Sequence, residues 1–165
     1  MIKENFLNEI HAEANATRKI LERIPDESLT WKPHEKSMSL DRLASHVAEI
    51  TGWVALIMDY DELDFAKIDY KPPVISKNED LIKIYEESLK KAVESLEKAT
   101  DDDFKKTWTM KSGDRTFFTM PKDVTLRSFA LSHMYHHRGQ LSVYLRLLDI
   151  PVPGSYGPSA DEPDM

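Results

Sequence analysis

Leu40, Leu43, Val47, Ile50, Val54 and Ile57 follow one another at intervals of three and four residues. That interval returns side chains to one face of an α-helix and is incompatible with the two-residue period of a strand. With Ser39 as N-cap and Asp41 in the first turn, it predicts a helix over about 39–58. Three more stretches repeat the pattern. Phe6, Ile10, Ala14, Thr17, Leu21 and Ile24 predict a helix over about 2–24, ended by Pro25. Leu81, Tyr85, Leu89, Ala92, Leu96 and Ala99 predict one over about 77–100, opened by Ser76-Lys77-Asn78-Glu79 in the form of a capping box. Leu126, Phe129, Ala130, His133, Met134, His137, Leu141, Tyr144, Leu145 and Leu148 predict the last, over about 123–149, capped by Asp123 or Thr125 and stopped by Pro151. Helices with one apolar stripe are stable when they bury it against each other. The expected fold is therefore all-α, a four-helix bundle in a single domain over 1–165 with an irregular tail, 150–165.

The connectors refine this expectation. Residues 59–75 are acidic, contain Pro72-Pro73 and show no helical period. They are longer than the 2–8 residues usual in bundles, so the third helix has the chain length to cross over the bundle. Residues 107–119 alternate weakly about Lys111-Ser112-Gly113-Asp114, which predicts a short β-hairpin or extended loop between the third and fourth helices, with Gly113 at the turn.

A chain of 165 residues fits one domain and can bury about 70% of its unfolded surface. The net charge of −7 argues against nucleic-acid and anionic-membrane partners. No apolar run approaches the roughly 18 residues of a spanning helix. The first residues lack the basic head and apolar stretch of a secretory leader, so the expected compartment is the cytoplasm. There is no cysteine. Disulfides, thiolate metal ligands and a protein thiol nucleophile are thereby excluded, and any thiol chemistry has to use a thiol carried by the substrate.

Chemistry concentrates in Ser132-His133-Met134-Tyr135-His136-His137-Arg138-Gly139-Gln140-Leu141, which holds three of the six histidines. Four residues apart on a helix, His133 and His137 share a face and can converge on one metal ion. Two imidazoles hydrogen-bonded to carbonyls or water are the bland alternative. Met134 stands where zinc metalloproteases carry a glutamate, which argues against that chemistry. His46, beside the stripe of the second helix, is the best third ligand. His136 is turned about 100° from His137 and reads as a bystander. His11 and His34 read as surface residues, and Arg138 as a partner for surface carboxylates. Gly139 costs a helix about 1 kcal/mol relative to alanine, which close approach of a backbone or ligand would explain. Glu49, Gln140 and Tyr156 are the residues that could assist catalysis.

His133-x-x-x-His137-Arg138-Gly139-Gln140-Leu141 resembles the signature of the DinB-like (YfiT-like) superfamily. Ser37-Met38-Ser39-Leu40-x-x-Leu43-x-x-His46 and the tail Pro153-Gly154-Ser155-Tyr156-Gly157-Pro158-Ser159-Ala160-Asp161-Glu162 are similar to the same family, in the same order. The resemblance implies a four-helix bundle with a long crossover between the second and third helices. It implies a divalent metal, nickel or zinc, on His46, His133 and His137. It also implies a homodimer and, from relatives that use low-molecular-weight thiols, a thiol cosubstrate. A metal-dependent enzyme acting on a small molecule, by thiol transfer or hydrolysis, is the leading expectation. A non-catalytic metal- or ligand-binding stress-response bundle and a structural homodimer are the alternatives.

Overall fold

The computed structural model describes residues 1–163; Asp164 and Met165, the end of the expected tail, lie outside the described residues. Helix α1 (Ile2–Glu22) turns Phe6, Ile10, Ala14, Thr17, Ile20 and Leu21 inward. Helix α2 (Leu40–Ile50) buries Leu40, Leu43, Val47 and Ile50. A shorter helix, α3 (Trp53–Asp59), follows it. Helix α4 (Asn78–Lys98) buries Leu81, Tyr85, Ala92 and Leu96 and packs against α1, α2 and α3. Helix α5 (Lys122–Thr125), a π-helical turn at Leu126–Leu131 and helix α6 (Ser132–Leu147) complete the helical frame. No helix among the described residues is long and apolar enough to cross a membrane.

The all-α expectation is overturned by a three-stranded mixed sheet. Strands β2 (Thr107–Ser112) and β3 (Arg115–Pro121) form an antiparallel pair. Gly113 turns between them at φ 57°, a conformation that side chains other than glycine adopt at a cost. Strand β1 (Glu62–Asp64) comes from the connector expected to be irregular and pairs with β2 in parallel, Leu63 opposite Met110. The Asp64 carboxylate accepts the Gly113 N–H at 2.9 Å, tying connector to turn. The sheet buries Trp108 completely at the end of the helical core.

Three helical details also depart from expectation. The second helix is interrupted at Thr51-Gly52, where Gly52 N–H bonds the Glu49 carbonyl three residues back at 2.9 Å. A β-carbon on Gly52 would meet the Glu49 carbonyl at 3.2 Å and Ser88 of α4 at 3.3 Å, so this glycine lets α4 pack closely. The capping box is shifted by one residue: Asp80, not Glu79, accepts the Ser76 and Lys77 backbone N–H groups. The last helix has no side-chain cap from Asp123 or Thr125. Instead the buried Lys122 donates to the Met58 and Tyr60 carbonyls at 2.9 and 2.7 Å, closing the C-terminal end of α3.

Two apolar clusters share the interior. One gathers Phe6, Ile10, Ile50, Val54, Ile57, Phe104, Trp108, Leu126 and Met134 near the sheet. The other gathers Ile20, Leu21, Leu40, Leu43, Val47, Leu81, Tyr85, Leu141 and Leu145 at the opposite end. On α2 the border between them falls from Val47 to Ile50, and on α6 from Met134 to Leu141. His46, His133 and His137 stand at that border.

Candidate metal centre

α2 and α6 pack side by side, and their order is antiparallel. Trp53, just beyond α2, meets Phe129 and His133, with ring centroids 4.8 and 5.2 Å away. His46 meets His133 and His137 at 5.1 and 4.8 Å. Farther along, the Tyr144 hydroxyl donates to the Met38 carbonyl at 3.2 Å. The three histidines are each half-buried, on the flank of the core stripe formed by Met134, Leu141 and Leu145 rather than at its centre.

His46 Nε2 lies 3.3 Å from His133 Nε2, and His133 Nε2 lies 2.8 Å from His137 Nε2. Among the described residues, His46, His133 and His137 form a group whose donor atoms all lie within 4.8 Å of one another. With metal–nitrogen bonds of about 2.0–2.1 Å, ligand nitrogens stand about 3.3 Å apart around a tetrahedral ion and about 2.9 Å apart on adjacent octahedral corners. The 3.3 Å separation matches the tetrahedral value and the 2.8 Å separation lies just under the octahedral one; the third pair is within 4.8 Å.

His137 Nδ1 lies 2.7 Å from Gln140 Oε1, an acceptor that suits the Nδ1-protonated tautomer. In that tautomer the His137 Nε2 lone pair faces His133 Nε2 at 2.8 Å. Converging imidazole nitrogens of this kind can hold a shared cation. Burial and the neighbouring histidines favour the neutral imidazoles. Burial, then His137 and His133, then Arg42 push His46 down to about 4. Burial likewise lowers His133 and His137, the latter partly offset by Gln140.

The π-helical turn leads directly into His133. Such turns recur at functional sites because the extra residue redirects side chains and frees backbone carbonyls. Here it sets Phe129 against Trp53, the two rings stacked at 15°, so that one side of the cluster is walled by aromatic surface.

A model of the DinB family matches residues 1–165. The chain belongs to the DinB family. It is 30% identical to the uncharacterized protein YrdA of Bacillus subtilis (strain 168) over 163 residues, 96% of this chain and 90% of that one. A crystal structure of a DinB-like protein from Bacillus cereus ATCC 10987 superimposes with a TM-score of 0.70 at 27% identity, covering 93% of this chain and 97% of that one. The DinB-like protein YjoA of Bacillus subtilis shares the fold, with a TM-score of 0.70 at 20% identity over 89% of this chain and 96% of that one.

In this DinB-family chain the residues singled out as possible assistants separate. Gln140 sits against His137 as described. Glu49 lies one turn from His46 on α2, half-buried, with burial raising its carboxyl. Its Oε2 accepts the Tyr70 hydroxyl at 2.9 Å. Tyr156 is not brought to the histidines: its hydroxyl meets Arg138 at 2.5 Å and Glu13 at 3.0 Å. His136 is exposed. Arg138 is not a surface residue but 2% exposed, paired with Glu13 and donating to Thr17 at 2.9 Å. At Gly139 a β-carbon would meet nothing within 4 Å, so no close approach by this chain accounts for it. Arg42 and Tyr70, which surround Glu49, are not among the residues expected at the site. Arg42 had a usable signal, four residues before His46 and therefore on the same helical face; Tyr70 had none, because it reaches Glu49 from an irregular connector.

Proposed function

We propose that His46, His133 and His137 hold a divalent metal ion, nickel or zinc, and that the protein is a metal-dependent enzyme acting on a small molecule by thiol transfer or hydrolysis. The observation that carries the proposal is the convergence of His46, His133 and His137, whose donor atoms all lie within 4.8 Å of one another. Bound there, the ion would act as a Lewis acid that acidifies a thiol or a water molecule. With three protein ligands, coordination positions remain for a substrate group, the pattern of catalytic rather than closed structural sites.

The chain's own residues have definable tasks. Gln140 orients His137 and suits its Nδ1-protonated tautomer. Trp53 and Phe129 keep water from one side of the cluster. Glu49, its carboxyl raised by burial, is placed to accept or return a proton next to the histidines. Because the chain has no cysteine, a thiol nucleophile would come from a low-molecular-weight cosubstrate.

Elemental analysis of untagged protein, wild type beside His46→Ala, tests the proposal. The expected result is about one divalent ion per chain in the wild type, as a single site requires, and background levels in the variant. Equal metal content in both, or none in either, would sink it.

A further inference from the structure

Arg42 lies one turn before His46 on α2. Between the level where His46 meets His137 and the level where Met38 meets Tyr144, Arg42 falls opposite Gln140 on α6. It is close enough to both His46 and His137 for its charge to lower them. Its Nη1 is fully buried and has no hydrogen-bond partner. The carboxylate within ion-pair range is Glu49 Oε2, at 3.9 Å. That is too far for a hydrogen bond, and the oxygen already accepts the Tyr70 hydroxyl.

A buried guanidinium N–H without an acceptor is costly. The molecule shows elsewhere how it completes such a group: Arg138 meets Thr17, Glu13 and Tyr156. Arg42 has no comparable set: besides Glu49 and the histidines, it acts on Tyr70, whose phenol burial raises and Arg42 works to lower. Charge points the same way. Three neutral imidazoles around a divalent cation, together with Arg42, leave the site positive even with Glu49 ionised. The guanidinium fork matches a carboxylate in two parallel hydrogen bonds. Nη1 itself is buried, and the 30% of the Arg42 side chain that is exposed is the part a ligand meets.

We propose that Arg42 is the anion-binding residue beside the three histidines, taking the carboxylate of a small molecule whose thiol or other donor reaches the metal. The inference rests on the metal-site proposal above. One helical turn, about 5.4 Å, separates the levels of Arg42 and His46. The ligand class that suits this spacing is a compact carboxylate that also carries a metal-binding donor.

The test uses the full chain loaded with cobalt(II), as wild type, Arg42→Met and Arg42→Lys. Visible absorption follows titration with azide, 2-mercaptoethanol and 3-mercaptopropionate, the two thiols differing in the carboxylate. The wild type is expected to bind 3-mercaptopropionate about tenfold or more tightly than 2-mercaptoethanol, the size of one charge-assisted contact. Arg42→Met should lose that preference while keeping its cobalt content and azide response, which also shows that the variant is folded. Arg42→Lys should keep part of it. A preference that survives in Arg42→Met, or is missing in the wild type, overturns the role of Arg42 and leaves the metal site standing. Failure of the wild type to hold cobalt overturns the metal site and the role of Arg42 with it; cobalt held without response to any of the three probes means a closed coordination sphere, and overturns the role of Arg42 and the catalytic reading.

Discussion

His137 and Arg138 are adjacent in sequence and face two very different surroundings. About 100° apart on α6, one points to α2 and the other to α1. On the α1 side the polar groups are complete. Arg138 pairs with Glu13 and donates to Thr17 and Tyr156, and Tyr156 donates to Glu13. On the α2 side they are not. Three imidazoles turn their nitrogens on one another, and Arg42 Nη1 has no hydrogen-bond partner. Both regions contain charged or polar groups out of water, so burial does not distinguish them. What distinguishes them is whether the protein itself supplies every partner. The closed network is complete within the chain, and the open one is where the proposals above put a metal ion and an anion.

The largest effect expected from this contrast is on stability. Arg138→Met leaves Glu13, whose side chain is 12% exposed, without its cation. Breaking a buried pair in this way costs about 3–5 kcal/mol, to be read from urea or thermal denaturation. The metal content of the folded fraction should stay at the wild-type level, since Arg138 faces away from the histidines. Adding Glu13→Gln should restore part of the loss. An Arg138→Met protein as stable as the wild type would break the comparison, because the network would then contribute nothing to the fold.

A smaller effect is expected from pH, and only in metal-free protein. The ordinary histidine value is 6.5, and His46 is pushed down to about 4, chiefly by burial, with His133 and His137 lowered in the same direction. As pH falls below about 6.5 the unfolded chain takes up protons that the folded cluster refuses, so unfolding becomes easier. The stability present above that pH is lost progressively toward pH about 4, where His46 itself titrates in the folded state. Carboxylates contribute to the same acid limb, so the informative measurement is the difference between wild type and His46→Ala. Thermal midpoints of chelator-treated protein should show a shallower decline in the variant. Identical slopes would mean that His46 gains its proton as readily in the folded chain as in water.

How much of this could be read in the sequence depends on the length over which a pattern is written. The stripes of α1, α2, α4 and α6 extend over several turns, and most of their apolar positions are buried, with Leu89 and Tyr144 among those only partly so. Strand β1 has three residues, fewer than an alternation needs to be visible, and its partner lies some fifty residues away. The break at Thr51-Gly52 is hidden because Ile50, Val54 and Ile57 keep the helical interval across it. The π-helical turn is likewise hidden, since one extra residue in a turn leaves composition unchanged. At the site, the His133–His137 spacing is a local signal, whereas the meeting of His46 with that pair is a product of α2–α6 packing. Arg42 shares a helical face with His46 at a spacing of four, but that spacing alone is common among lysines and arginines on helices. Only the distance to Glu49, and the absence of a hydrogen-bond partner for its buried Nη1, set it apart.

Gly139 supplies the smallest and sharpest test, because it lies between the two regions compared. It is exposed in the middle of α6, and a β-carbon there would meet no atom of the chain within 4 Å. Gly139→Ala should therefore raise stability by up to about 1 kcal/mol through helix propensity. That gain should appear in denaturant unfolding of metal-free protein, where no ligand intervenes. Cobalt content and azide response should be unchanged, because the position contributes no side chain to either network. Should the stability gain appear while thiol or azide binding weakens, the space above Gly139 is part of the ligand's volume, and the open region reaches the exposed side of α6 between His137 and Gln140.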